Sequence, residues 1–301
     1  MGRLTDHIRA SCAAIAAEAR SVRIDHERLE SFAPPGGRVE DPGLDATRHY
    51  LEGAPEDVAL YTLALDTINF GSGWFPTLTK RVDPASGRTV SGYFTVAWNL
   101  ADHFRVAGPW DAAALRGMRT EELAEVLGQP ADHELMSLYA QALRELGRFL
   151  GTRATLDVVA EAGGSAEGLA IMLASSLAFY DDRGFYKRAQ IVGNDLALAG
   201  VASFRDLDAL TIFADNLVPH VLRCDGILVY DDALAATIDA ERLLPAGREE
   251  REIRACAVHA CERLSARLGV PARVLDMWLW TRGQAPEVKA RPRHRTRTVY
   301  Y

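Results

Sequence analysis

Through most of this chain apolar residues recur every three or four positions, and stretches that alternate apolar with polar are nearly missing. That spacing lines up apolar side chains on one stripe of a helix and leaves little from which to build a sheet. The expected fold is therefore all-α, one compact helical domain over residues 1–301 with at most a small β-hairpin. Residues 7–22 read as an amphipathic helix with Ile8, Cys12, Ile15 and Ala16 on one stripe. Further helices are expected over 56–70, over 93–107 (Phe94, Ala97, Trp98 and Ala101 share the spacing), from Thr120, and over 132–150. Ser165 is placed to cap a helix over 166–178, and others follow over 185–198, 207–224, 248–268 and 272–280. Residues 31–46, rich in Pro and Gly, read as a loop, and Asp83-Pro84 with Ser86-Gly87 marks a turn or short hairpin over 80–90. The best strand signal is Ile227-Leu228-Val229-Tyr230, and no repeat or linker is evident.

Composition bounds the chemistry. The formal net charge is −7. A duplex-binding protein draws most of its affinity from neutralised phosphates and shows a basic footprint, so long nucleic acid is not the expected partner. A small phosphorylated ligand needs only two or three local cations and stays open. Cys12, Cys224, Cys256 and Cys261 include no Cys-x-x-Cys pair and read as thiols in a reducing compartment. Met1-Gly2-Arg3-Leu4-Thr5-Asp6 turns charged at once, with no signal-peptide core, and no stretch approaches the ~18 apolar residues of a membrane span. A cytoplasmic protein with no membrane partner is expected.

Several familiar patterns fail. His133-Glu134 opens a helix as a zinc-protease motif does, but residue 137 is serine. Gly71-Ser72-Gly73 runs into Trp74-Phe75-Pro76, which is neither a dinucleotide nor a P-loop fingerprint, and no Gly-x-Ser-x-Gly elbow exists. Neither a metal nor a cofactor is expected.

Four segments carry candidate chemistry. Asp66-Thr67-Ile68-Asn69-Phe70 sets two short polar side chains three apart at the end of an apolar helix, where Asp66 and Asn69 can share a face. Gly184-Phe185-Tyr186-Lys187-Arg188 brings adjacent cations to a helix start, which favours anionic oxygens. In Leu210-Thr211-Ile212-Phe213-Ala214-Asp215-Asn216-Leu217-Val218-Pro219 a lone carboxylate sits among apolar residues, where burial is costly unless it does work. In Asp276-Met277-Trp278-Leu279-Trp280 an acid able to accept two hydrogen bonds from a guanine-like edge lies beside tryptophans able to stack on a ring.

These segments, in this order and followed by His294-Arg295-Thr296-Arg297-Thr298-Val299-Tyr300-Tyr301, resemble the queuosine salvage protein family. The family patterns Asp-x-x-Asn-Phe, Phe-Tyr-Lys-x-Ala-Gln and Phe-Ala-Asp-x-x-x-Pro fall on Asp66–Phe70, Phe185–Gln190 and Phe213–Pro219. No one of them is specific alone; five in order are. The resemblance implies an all-helical relative of helix-hairpin-helix DNA glycosylases that hydrolyses queuosine 5′-monophosphate to queuine and ribose 5-phosphate. It implies that Asp215 is the catalytic carboxylate and that Phe213 and Asp276, with His49, contact the base. Asn69, Phe70, Ala214, Met277 and Trp280 are the further expected substrate contacts, and Lys187, with Tyr186 or Arg188, the expected phosphate holder. Arg293, Arg295 and Arg297 are a second candidate clamp. The sequence departs from the family at Gly71-Ser72-Gly73, where bulkier residues stand, and at Met277, where an aromatic is expected. Two other classes remain open from the residues themselves: a non-catalytic nucleobase-binding protein and a DNA-base glycosylase.

Overall fold

The computed structural model describes residues 4–301. In chain order the elements are α1 (Leu4–Glu18), β1 (Val22–Ile24), α2 (His26–Ser31), α3 (Pro55–Thr67), α4 (Gly92–Ala107), α5 (Ala112–Gly117), α6 (Thr120–Leu127), α7 (Glu134–Leu150), α8 (Thr155–Glu161), α9 (Ala166–Ser176), α10 (Lys187–Leu198), α11 (Val218–Cys224), β2 (Leu228–Tyr230), α12 (Asp232–Asp239), α13 (Arg248–Leu268), α14 (Ala272–Arg282) and α15 (Pro286–Lys289). The fold is all-α, as the periodicity implies, and among the described residues the one sheet is the antiparallel pair β1–β2. Its strands lie some two hundred residues apart, so it is no hairpin. The 80–90 turn forms a single antiparallel bridge, Val82 to Thr89.

Two compact units account for the chain, and each is built from separate stretches of sequence. One takes the residues up to Gly43, Arg183–Lys187 and Asp208–Thr298. Its core gathers Ile8 and Cys12 of α1, Val22 and Ile24 of β1, Val221 and Leu222 of α11, Ile253, Ala257 and Leu264 of α13, and Leu275 and Leu279 of α14. Small residues along α13 (Ala255, Cys256, Ala257, Ala260, Cys261) are all buried, which lets α1 and α14 pack close against it. Arg9 of α1 bonds Glu262 of α13 at 2.7 Å. Glu252, though buried, is satisfied by the N–H groups of Arg20 and Ser21 at 3.0 and 2.7 Å, and so anchors the entry to β1.

The other unit takes Leu44–Asp182, Arg188–Leu207 and Val299–Tyr301. Its centre is α3, buried without a break from Val58 to Thr67 and packed against α4, α7 and α8. A helix apolar all round belongs in a core. Arg188 threads this core with its side chain nearly sealed from solvent. Its guanidinium donates to the carbonyls of Thr67, Phe179 and Val299 and lies 4.8 Å over the rings of both Phe70 and Tyr180. Tyr301 accepts N–H bonds from Gly71 at 2.9 Å and Ser72 at 3.4 Å. Gly71 holds φ +100°, and a Cβ there would lie 2.6 Å from Leu135 Cδ1, so no bulkier residue fits this turn.

Three helix boundaries differ from expectation for local reasons. The first helix stops at Glu18, and Val22–Ile24 leaves to pair with β2. The helix begun at Pro55 ends at Thr67 with Ile68 as its cap, so Asn69 lies beyond it and does not share a helix face with Asp66. Residues 207–224 are not one helix: a short 3-10 turn (Leu207–Ala209) and an irregular segment precede α11. A proline inside a continuous helix would strike the carbonyl four residues back. Pro219 instead stands in the first turn of α11, where no N–H is needed. The cap expected at Ser165 is present, its Oγ accepting from Gly168 N–H at 2.9 Å.

Two buried histidines carry a pH prediction. Burial lowers His294 to about 3, helped by the charge of Arg254. Burial likewise lowers His220 to about 4, against a bond from its Nε2 to the Val288 carbonyl. Both are neutral when folded and protonate near the usual ~6.5 when unfolded. The unfolded chain therefore binds more protons between these values. Their stabilising contribution is complete above ~6.5 and declines as the pH falls toward 4. The melting temperature is expected to drop through this window, and His220→Gln to flatten part of the slope. A His220→Gln profile parallel to the parent's would show that His220 does not titrate on unfolding.

Candidate active site

Asp215 lies on the irregular segment before α11, within the first unit. Its Oδ1 accepts two backbone N–H groups, from Leu217 at 2.7 Å and Val218 at 3.0 Å. Asp215 thus satisfies orphan donors at the start of α11, the work of a helix cap. The side chain is half-buried, and Oδ2 accepts no hydrogen bond from the described residues. The carboxylate is fixed through one oxygen and open through the other.

The segment around it is pinned on both sides. Phe213 N–H donates to Asp276 Oδ1 of α14 at 2.8 Å. The Ala214 carbonyl accepts from Arg254 Nε of α13 at 2.9 Å. Asn216 donates through Nδ2 to the His294 carbonyl at 3.0 Å. Leu217 fills the space left by Gly283, where a Cβ would come within 2.7 Å of Leu217 Cγ. The charge of Asp215 reaches Arg293 and partly offsets the lowering that burial imposes on that guanidinium. An irregular backbone buried this deeply must have its polar groups satisfied. Here the partners come from α13, α14 and the chain after α15.

Phe213 and Ala214 are buried, whereas Met277 and Trp280 of α14 are half-buried. Asp276 spends one oxygen on Phe213 N–H. Tyr186 and Lys187 also belong to this unit. Tyr186 holds φ +50°, a left-handed backbone that a bulky residue adopts at a cost of about 1–3 kcal/mol and that clusters at functional positions. Lys187 opens α10 and is buried. Six candidates therefore stand on or beside the pinned segment and α14, and two on the turn into α10.

The remaining candidates belong to the second unit. His49 is buried, with Nδ1 on the Asp45 carbonyl at 2.9 Å and Nε2 on the Tyr93 hydroxyl at 3.0 Å. Nδ1 is thus the N–H donor and Nε2 the acceptor. Burial lowers its pKa, which keeps the ring neutral. Asn69 is half-buried. Phe70 packs edge-on to Tyr139, ring centroids 4.9 Å apart, and under Arg188. Arg188 itself is a correction: its guanidinium is consumed by backbone carbonyls and is not a surface cation awaiting phosphate. Arg254 and Asn216 were missed. A signal for Arg254 was present, since it shares a stripe with Ala257 and Cys261 on the apolar face of α13. Among the described residues no cluster of His, Cys, Asp or Glu could hold a metal ion.

The fold and site define an all-helical protein that presents a fixed, half-open carboxylate on a pinned, non-helical segment. Queuosine salvage protein is the family description matched by residues 49–301. The chain is 34% identical to the queuosine 5′-phosphate N-glycosylase/hydrolase of Sphaerobacter thermophilus, over 94% of each sequence. It is 26% identical to the protein so named in Mus musculus, over 97% of this chain and 98% of that one. This chain belongs to the queuosine salvage protein family.

Proposed function

We propose that this protein hydrolyses the N-glycosidic bond of queuosine 5′-monophosphate, releasing queuine and ribose 5-phosphate for salvage into tRNA modification. The full-length likeness to proteins named for that reaction supports this reading. The observation that carries it in the site is the Asp215 carboxylate, with Oδ1 tied to two N–H groups and Oδ2 open.

Cleavage of an N-glycoside develops positive charge on the anomeric carbon and ring oxygen of the sugar. A fixed carboxylate beneath that carbon stabilises the charge without having to reorganise. Asp215 fills this role, attacking the carbon or holding the water that does. Queuine is a 7-deazaguanine, so its position 7 is carbon and offers no nitrogen to protonate. Asp276 is the side chain we assign to hold the base, accepting from donors on its pyrimidine edge, and the proton given up by the attacking water passes to the departing base. Phe213, Ala214, Met277 and Trp280, in the same unit as Asp215, complete the base and sugar contacts we assign there. Lys187 and Tyr186 hold the 5′-phosphate, so that binding energy remote from the reacting bond positions the sugar. The sequence works as one salvage domain, in the cytoplasm, on a small nucleotide and with neither nucleic acid nor membrane as partner. No single helix among the described residues is long and apolar enough to cross a bilayer.

Incubation with queuosine 5′-monophosphate, followed by mass spectrometry of the products, tests the reading. Free queuine and ribose 5-phosphate are expected in equal amounts. Binding of queuine with no cleavage would make the protein a nucleobase carrier. Tight retention of damaged duplex DNA at moderate salt would make it a DNA-base glycosylase.

A further inference from the structure

One buried cation in the first unit touches two of the segments just given roles and touches them at their most sensitive points. Arg254 is 2% exposed and lies in the second turn of α13. Its Nε donates to the Ala214 carbonyl at 2.9 Å, the peptide that leads into Asp215. Its guanidinium carbon sits 3.9 Å from the centre of the Phe185 ring, the residue that leads into Tyr186. Glu250, one helical turn back and also buried, meets Nη1 at 3.4 Å.

A guanidinium suits this position in a way an ammonium does not. It is planar, so it can lie flat on an aromatic face while its edge donates in a fixed direction. One rigid group thereby sets the tilt of the 214–215 peptide and the seat of the Phe185 ring. The strained backbone at Tyr186, φ +50°, begins at the residue so held. Arg254 does not need to reach the substrate to govern where Asp215 stands relative to Tyr186 and Lys187.

We propose that Arg254 is a positioning residue that fixes the distance between the sugar-facing carboxylate and the segment holding the 5′-phosphate. This rests on the function proposed above. A ligand carrying both sugar and phosphate feels that distance; the free base does not. Displacing reacting groups by about 1 Å costs about 10²-fold in rate.

The test compares the parent protein with Arg254→Lys, a variant that keeps the charge and a donor but loses the flat stacking surface. Three quantities are read: kcat on queuosine 5′-monophosphate, inhibition by ribose 5-phosphate, and inhibition by queuine. Expected are a fall in kcat of about tenfold or more, weaker ribose 5-phosphate inhibition, and queuine inhibition unchanged. Phe185→Leu, which removes the stacking face and leaves Arg254 in place, is expected to give the same pattern more mildly, and it decides the matter if Arg254→Lys does not fold. Unchanged kcat in a folded variant overturns the proposal. So does an equal weakening of both inhibitors, which marks a merely structural role. A parent protein inert on the nucleotide overturns the function itself, and is distinguished from these outcomes by that control alone.

Discussion

Asp215→Asn is expected to keep its fold and lose its turnover. Asparagine retains an oxygen that can accept the N–H groups of Leu217 and Val218, so the start of α11 stays satisfied. What it removes is the negative charge that the proposed mechanism sets opposite the developing oxocarbenium. Removal of one preorganised charge-stabilising group commonly costs about 10²–10³-fold in kcat. The comparison with Asp215→Ala separates the two duties of this residue. Alanine forfeits the cap as well, at about 1 kcal/mol, and should melt a few degrees lower with a similar kinetic defect. Queuine affinity should persist in both. A Asp215→Asn protein with near-parental kcat would remove this carboxylate from the chemistry, and the hydrolase assignment of the site with it.

Arg188→Leu is expected to be the most destabilising single change in the second unit, with activity lost through unfolding and not through phosphate binding. Leucine fills part of the volume but leaves the carbonyls of Thr67, Phe179 and Val299 buried without donors. Each orphaned group costs about 1–3 kcal/mol, and the flat contacts over Phe70 and Tyr180 vanish as well. A total of about 3–5 kcal/mol is expected. That corresponds to roughly 10 °C or more in melting temperature for a domain of this size. Calorimetry of the variant checks it. A protein that melts normally but binds ribose 5-phosphate poorly would return Arg188 to the phosphate site.

The two arginines show why a charge is hard to read from sequence. Lys187-Arg188 presents as a cationic pair at a helix start, which is how a phosphate site looks in one dimension. Adjacent helical residues point about 100° apart, and here they belong to different compact units. Arg254 sits in a helix with many charged residues, where one more reads as solvated. Asp215 is the converse case. Its isolation among apolar residues marked it, yet the expected helix around it is absent, because Pro219 and the capping bonds of Asp215 itself start α11 afresh at Val218. The lack of any visible linker has a related cause. The chain passes between the two units repeatedly, and only the crossing at Gly43–Leu44 falls in a Pro/Gly-rich loop; those at 182–183, 187–188, 207–208 and 298–299 have no such tether.

Periodicity alone settled the helical class, most of the helices, the Ser165 cap and the short strand at Leu228–Tyr230, since each depends on neighbours within a few residues. The ordered motifs singled out Asp215, Asp276 and the Tyr186–Lys187 turn by residue type. The tertiary structure decided which atoms are free to act: it tied Oδ1 of Asp215 into a cap and left Oδ2 open, buried Arg188 among carbonyls, and brought Arg254 onto Ala214 and Phe185. Those outcomes join residues distant in the chain, and no local pattern encodes which partner a polar atom will meet once the core closes around it.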